Sequence, residues 1–357
     1  MAGWASRNRW FVPAVMVVIA VTYIWLHSRP PRSLGDAYVS ENLVTLWSST
    51  AEVRAPAGVA RYGDHVTVMA RSGTLSEVRT ASGVTGWLDS DDLMDPQLWQ
   101  QSEALLERAK AMPVEALGHT KTLTNLHILP GRDAAHIFQF GRDTQVVVLA
   151  RAVAEAPAQP EGTAPAATPP VADDQKPKSE EWLLVMRSVS PQEASGQNGV
   201  AANSGPGGSM QTAAPVPIAG WALARFIEFD APGPVHDYAL SSDFRVVSWV
   251  ELNRVLTDSG EMPQYLVAGT RGAEGQPCDF TLLRAYTWSE KRKQYETAFV
   301  ESDLCGKLPI VVSQTPAGPE FRFAEADSSA ERVYAMRQTV IRRVTAAGTP
   351  AAASRRR

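Results

Sequence analysis

The sequence predicts a mainly β protein: two small β barrels and a C-terminal antiparallel β domain, with one apolar helix at the N-terminus. Three observations carry that expectation. Short apolar-polar alternations, punctuated by Gly, Pro and Ser, recur from about residue 38 almost to the end of the chain. The stretch "GVTGWLDSDDL" (83–93) has a counterpart in "PIAGWALARFI" (217–227), so one unit is present twice. "WFVPAVMVVIAVTYIWL", Trp10 to Leu26, has no charge over 17 residues. At 357 residues the chain exceeds one ordinary core and suggests two or three domains, and 44% apolar with 20% charged residues is the balance of a folded protein.

Residues 1–9 form a short flank, 10–27 the membrane anchor and 28–37 a linker. Trp10 to Leu26 spans about 26 Å as a helix, the short end of a transmembrane span. Trp10, Tyr23 and Trp25 sit near its ends, where amphipathic rings favour the interface. No small-x-small cleavage site follows, since His27, Ser28, Arg29 and Pro30 come next, and an uncleaved single-pass anchor is expected over a signal peptide. Arg7 and Arg9 on one side and Arg29 and Arg32 on the other leave its orientation balanced. Cys278 and Cys305 bear on that: an even pair in an anchored protein suits a disulfide in an oxidising compartment, the alternative being two buried thiols. The soluble part is therefore expected in the periplasm or outside the cell, on an inner-membrane anchor.

Residues 38–94 read as one small barrel, from "AEVRA" (51–55), "DHVTVMA" (64–70), "LSEVRT" (75–80) and "TGWLDS" (85–90). A connecting helix follows within 95–118: Asp95 caps it, Pro96 suits its first position, Leu98, Leu105 and Leu106 give an apolar face, and Pro113 stops it. Residues 119–230 repeat the barrel with "TLTNLHILPG" (122–131), "TQVVVLA" (144–150), "EWLLVMR" (181–187) and "AGWALARFIEF" (219–229). Two insertions interrupt it. In 152–178 Pro and Ala supply 14 of 27 residues, and 189–215 is rich in Gly, Ser and Ala, so neither buries enough apolar surface to offset the entropy of ordering it.

Residues 236–345 read as an antiparallel meander, and 346–357 as a disordered tail. "DFTLLRAYTW" (279–288) is expected to place Phe280, Leu282, Tyr286 and Trp288 on one face, and "QYETAFVES" (294–302) to place Tyr295 and Phe299 together. "SEKRK" (289–293) is a charged hairpin turn between them. "SSAERVYAMRQTVIRRV" (328–344) fits helix or strand, with its late "TVIRRV" favouring strand.

Set side by side, the two repeats share an order: a strand with a Pro/Gly turn, an aromatic-Gly step at Tyr62-Gly63 and Phe140-Gly141, an alternating strand, and a closing Gly-Trp at Gly86-Trp87 and Gly220-Trp221. That order resembles the bacterial SH3-like domain family, over about 38–94 and 120–229. The resemblance implies an extracytoplasmic module that recognises peptidoglycan, peptides or another protein. In physical terms Gly permits a tight bend, and Trp is expected to close one end of a barrel too small to seal itself with aliphatics.

Catalytic patterns are missing. All six histidines precede Cys278, the reverse of the order in a cysteine-type wall-peptide hydrolase, and no H-x-x-x-H or H-E-x-x-H spacing, G-x-S-x-G elbow or phosphate-binding loop occurs. "DSDD" (89–92) lacks the Gly and Glu of a calcium loop. Asp279, Glu290, Glu296, Glu301 and Asp303 are the carboxylates from which an acid-base pair would have to come. Net charge is −4 and the basic cluster is Arg355-Arg356-Arg357, so nucleic acid is not an expected partner. Neither a cofactor nor a metal is expected. Tyr38, Trp47 and Tyr62 are the candidates for a peptide groove. The expected function is non-catalytic binding of the wall, peptides or envelope proteins, the alternative a scaffold subunit of a membrane-bound assembly; an enzyme beyond residue 236 ranks last.

Overall fold

The computed structural model describes residues 33–156, 179–189, 215–233, 235–237, 244–258, 260–271, 275–326 and 331–344. The expected anchor, the tail and most of both insertions lie outside the described residues, and among the described residues no helix is long and apolar enough to cross a membrane. The fold is mainly β, in four antiparallel sheets. The described residues form two compact units, one up to Asp95 apart from 40–42, the other of 40–42 with the residues from Pro96 onwards.

The first unit holds β1 (Gly35–Val39), β2 (Leu43–Trp47), β3 (Pro56–Arg61), β4 (His65–Ser72), β5 (Leu75–Thr80), β6 (Thr85–Asp89) and β7 (Leu93–Met94), in the order β3-β2-β6-β5-β4-β1-β7. Alternation does the sorting: Val44 and Leu46 on β2, Val66 and Val68 on β4, Val78 on β5 and Leu88 on β6 face one core. Two expectations fail locally. "AEVRA" is no strand but the link from β2 to β3, because its one large apolar residue, Val53, has no second to alternate with and is 93% exposed. And β1 begins at Gly35, inside the stretch read as linker, because Gly35 pairs with Val68 and Ala37 with Val66.

In the second unit α1 (Pro96–Lys110) comes first, ending three residues short of Pro113 and burying Ser102, Leu105 and Ala109. Then follow β8 (Ala116–Thr120), β9 (Thr124–His127), β10 (His136–Phe140), β11 (Gln145–Glu155), β12 (Ser179–Val189), β13 (Val216–Leu223) and β14 (Ile227–Phe229). Their order, β10-β9-β13-β12-β11-β8-β14, matches the first sheet strand for strand. Register irregularities recur at the same places: between Val68 and Ala70 on β4 and between Val148 and Ala150 on β11. Another lies between Leu46 and Trp47 on β2, matched opposite β9 between His136 and Phe138. A 3-10 turn precedes the last strand of each, Ser90–Asp92 and Ala224–Phe226. The chain therefore carries one β module twice. Strands β8 and β11 run past the expected boundaries, β8 starting before residue 119 and β11 continuing to Glu155, because Val148 pairs with Ala116 and Glu155 with Ser179.

Two four-stranded meanders complete the chain: β15 (Arg245–Thr257), β16 (Gly260–Thr270), β17 (Leu282–Ser289) and β18 (Gln294–Glu301), then β19 (Gly306–Thr315), β20 (Gly318–Glu325), β21 (Glu331–Arg337) and β22 (Val340–Val344). They are two sheets on one shared core, with Leu266 and Leu283 from the first meeting Phe321, Phe323 and Tyr334 from the second, where one meander was expected. The ambiguous late segment is strand. A disulfide joins Cys278 to Cys305, tying the approach to β17 to the start of β19. A register irregularity beside Ala285 turns Phe299 to the shared core, along with Phe280, while Tyr295, Leu282, Tyr286 and Trp288 face a second cluster. Leu282, Tyr286 and Trp288 thus share one face as expected, Phe280 departs because it precedes β17, and Phe299 parts from Tyr295 because β18 carries an extra residue between Phe299 and Thr297.

Candidate functional site

The predicted groove residues are dispersed. Trp47 lies on β2 directly opposite Trp87 on β6, with the Arg54 guanidinium 4.7 Å from the Trp47 ring. Tyr38 lies on β1, with three strands between it and β2 in the sheet order, its ring 5.3 Å from that of His65. Tyr62 is in the turn between β3 and β4.

Nor are the Gly-Trp pairs lids. On β6 Gly86 and Leu88 are buried, so period two turns Trp87 to the outer face, and Trp221 on β13 is likewise half-buried between Gly220 and Ala222. The glycine does the inward work. A methyl group on Gly86 would sit 2.8 Å from Leu46 Cβ, and one on Gly220 2.8 Å from Leu126 Cβ, so each glycine lets a neighbouring strand approach. The aromatic-Gly step also shifts. Gly63 (φ 81°) donates its N–H to Val39 O, and its counterpart is Asp143 (φ 56°), which donates to Thr120 O; Gly141 does not fill that role. Phe140, opposite Thr124, takes the core place that Ala60 has opposite Val44.

A site missed in the sequence lies in the second half of β11. Arg151 has only 4% of its side chain exposed. Its Nη1 is 3.0 Å from Glu181 Oε1, its Nε 3.5 Å from Glu115 Oε2, and its Nη2 donates to Val247 O of β15 at 2.8 Å. The guanidinium carbon stands 4.9 Å from the Phe229 ring. Ser248 Oγ donates to Glu115 O at 2.6 Å, and Arg245 Nη2 is 3.2 Å from Glu181 Oε2. β15 is thereby fastened to the second module. Burial pushes the Glu115 carboxyl up to about 7, opposed by Arg151, with Asp279 raising it further and Lys307 lowering it. Consecutive residues of β12 point apart, so Glu180 serves a second pair, accepting from Arg132 Nε at 2.8 Å and Arg225 Nη1 at 3.2 Å, and Arg132 holds its carboxyl below the usual range.

The first module carries the same position. Leu34 N donates to Val68 O as Glu115 N donates to Val148 O, and Arg71 opposes Ser76 as Arg151 opposes Leu183. By this register Arg71 is the counterpart of Arg151, Leu34 of Glu115, Thr74 of Glu181 and Asp95 of Phe229. Here the arginine is exposed, and it lines an open notch of about 300 Å³ with Leu34, Ser76, Ser90, Met94 and the two carboxylates Asp36 and Asp95. No described residue holds its guanidinium in a hydrogen bond or ion pair. At the notch's base Ser76 Oγ and Ser90 Oγ are 2.8 Å apart, and at its rim Asp36 accepts from Thr67 Oγ1 at 3.3 Å.

The five carboxylates of the C-terminal sheets end on separate partners. Asp279 accepts from Lys307 and Leu308 N, Glu290 from Trp288 and Lys293, and Asp303 from Ser302, while Glu296 pairs with Arg292 and Glu301 with Arg332. In "DSDD" Asp89 accepts from Asp91 N, and burial, with Asp89 and Asp91 alongside, raises Asp92 to about 6. Among the described residues no group of three His, Cys, Asp or Glu gathers as a metal site.

No family model matches the chain, and no curated protein matches it. Among solved structures an NlpC/P60 family protein from Bacillus cereus aligns over 75% of this chain and 94% of its own, at 10% identity and a TM-score of 0.21. A likeness of that size supports no inference about fold or function.

Proposed function

We propose that this chain is a single-pass envelope protein, anchored through residues 10–27, whose two modules are SH3-like and stand outside the cytoplasm. The first binds a partner without catalysis, and the second holds the C-terminal β domain. The observation that carries this reading is the repeated arginine: buried under β15 at Arg151, and open in a notch at Arg71. One module copy is committed to an internal docking, and in the other the corresponding arginine is exposed in a notch. A disulfide at Cys278–Cys305 suits an oxidising compartment. The partner class this favours is another envelope protein, in keeping with a scaffold subunit. Blue-native electrophoresis of the detergent-extracted full chain tests it: migration in a complex well above 38.7 kDa, lost on Arg71→Glu, is the expected result, and migration alone counts against it.

A second reading rests on a different face. Trp47 and Trp87, half-buried and opposed across β2 and β6, with Arg54 over Trp47, make an aromatic surface suited to a wall peptide or glycan. Sedimentation of the full chain with purified peptidoglycan, abolished by a Trp47→Ala, Trp87→Ala double substitution, would favour it, and no sedimentation would remove it.

A further inference from the structure

We infer that the outer face of the second module holds an acyl chain, in the open cavity over Leu117, Val147 and Met186. The inference is independent of what Arg71 binds. The cavity measures about 460 Å³, within the range of small-molecule sites. The duplication supplies its control. Leu117, Val147 and Met186 are register partners on β8, β11 and β12, and Asp36, Thr67 and Arg79 hold the same register on β1, β4 and β5. Both rows face outward, because Val146, Val148 and Val185 beside the one and Val66, Val68 and Val78 beside the other are buried. In the first module the row is polar, with Thr67 Oγ1 donating to Asp36 Oδ1 at 3.3 Å. In the second it is wholly apolar, lies in a concavity, and leaves Leu117 46% exposed.

Two further observations narrow the occupant. Three charged side chains line the cavity, and each has a partner within the protein: Asp230 Oδ1 is 2.7 Å from His119 Nδ1, Lys110 Nζ is 2.7 Å from Glu107 Oε1, and Arg187 Nη1 donates to Gln145 O at 3.4 Å. The occupant therefore needs to bring no charge. The floor strands β8, β11 and β12 each have a neighbour on both sides, so they offer no free edge to an incoming strand, and a peptide would bury its own main-chain groups unpaired. An acyl chain has neither charges nor main-chain groups to satisfy, and its head group stays in water at the mouth.

The test illuminates the full chain in native membranes with a diazirine-bearing fatty acid or, in a second arm, a phospholipid carrying the same diazirine, and maps the label by mass spectrometry. The expected result is label on the peptides holding Leu117, Val147 or Met186, and the arm that gives it identifies the source of the chain. That label should fall at least tenfold in the variant Leu117→Asp, Val147→Thr, Met186→Arg, which installs the residues of the first module, while label elsewhere on the chain is unchanged. A melting curve shows whether the variant is folded, and Val147→Trp, which fills the cavity, gives the same reading if it is not. Label missing from these peptides in both arms, or unchanged in the folded variants, would overturn the inference. So would a photo-crosslinking phenylalanine analogue at position 147 that captures protein, whether a partner or residues 190–214 of this chain.

Discussion

The two β modules share strand order, bulges and glycine crossings, and differ in what happened to one arginine. In the second module Arg151 is sealed beneath β15 among two glutamates and a phenylalanine. In the first, Arg71 stands open over two serines. A buried guanidinium is tolerable only where carboxylates and carbonyls replace its water, and the second module supplies Glu115 and Glu181 for that purpose. The first module has Leu34 and Thr74 at those places, with Asp36 and Asp95 in the notch, and no strand lies over its exposed Arg71 among the described residues. The difference between the copies is thus one of companions: Leu34, Thr74 and Asp95 stand at the places around Arg71 that Glu115, Glu181 and Phe229 fill around Arg151.

The comparison predicts unequal costs. Arg151→Ala leaves Glu181 and Glu115 buried without their cation and should destabilise the second unit by about 3–5 kcal/mol, while Arg71→Ala should stay within about 0.5 kcal/mol. Paired denaturant titrations would show it, and equal losses would erase the distinction. Next is the disulfide: replacing both cysteines by Ser frees a loop with a sequence separation of 27 and should cost about 3–4 kcal/mol, again only in the second unit. Gly86→Val and Gly220→Val should each lose about 1–3 kcal/mol, because a side chain at either place meets a neighbouring Leu Cβ at 2.8 Å. Similar losses in both modules would confirm that the repeated glycine has one task.

A pH dependence is expected in both units, from Asp92, raised to about 6, in the first and from Glu115 in the second. The folded carboxyl of Glu115 is raised from 4.5 to about 7, so its contribution is complete below about 4.5 and is lost as pH rises through 7. Melting of the second unit should weaken over that window. Glu115→Gln should flatten the slope; an unchanged slope would place its origin elsewhere.

Much of this fold was legible. Period-two alternation located most strands, and the Gly-Trp repeat correctly announced a duplication. What alternation could not supply was direction: with Gly86 and Leu88 turned inward, Trp87 has to face out, and only the core shows which parity is inward. Matching aromatic to aromatic also misled, since Phe140 replaces Ala60 in the core and not Tyr62 in the turn. The arginine pair did leave a signal. "VTVMA" and "VVVLA" are each followed by Arg, at 71 and 151, the residue just beyond each matched strand run. Its meaning was hidden because the groups that bury Arg151 come from positions 115, 181, 229 and 247, far along the chain.

Whether one site is filled and its twin open can be read from arginine reactivity. Mass spectrometry after treatment with an arginine-selective dicarbonyl, on the purified full chain and on intact cells, should find Arg151 unmodified in both. Arg71 should be modified in the purified chain and protected in cells, where its partner is present. Arg151 as reactive as Arg71, or Arg71 equally reactive in both settings, would contradict the account.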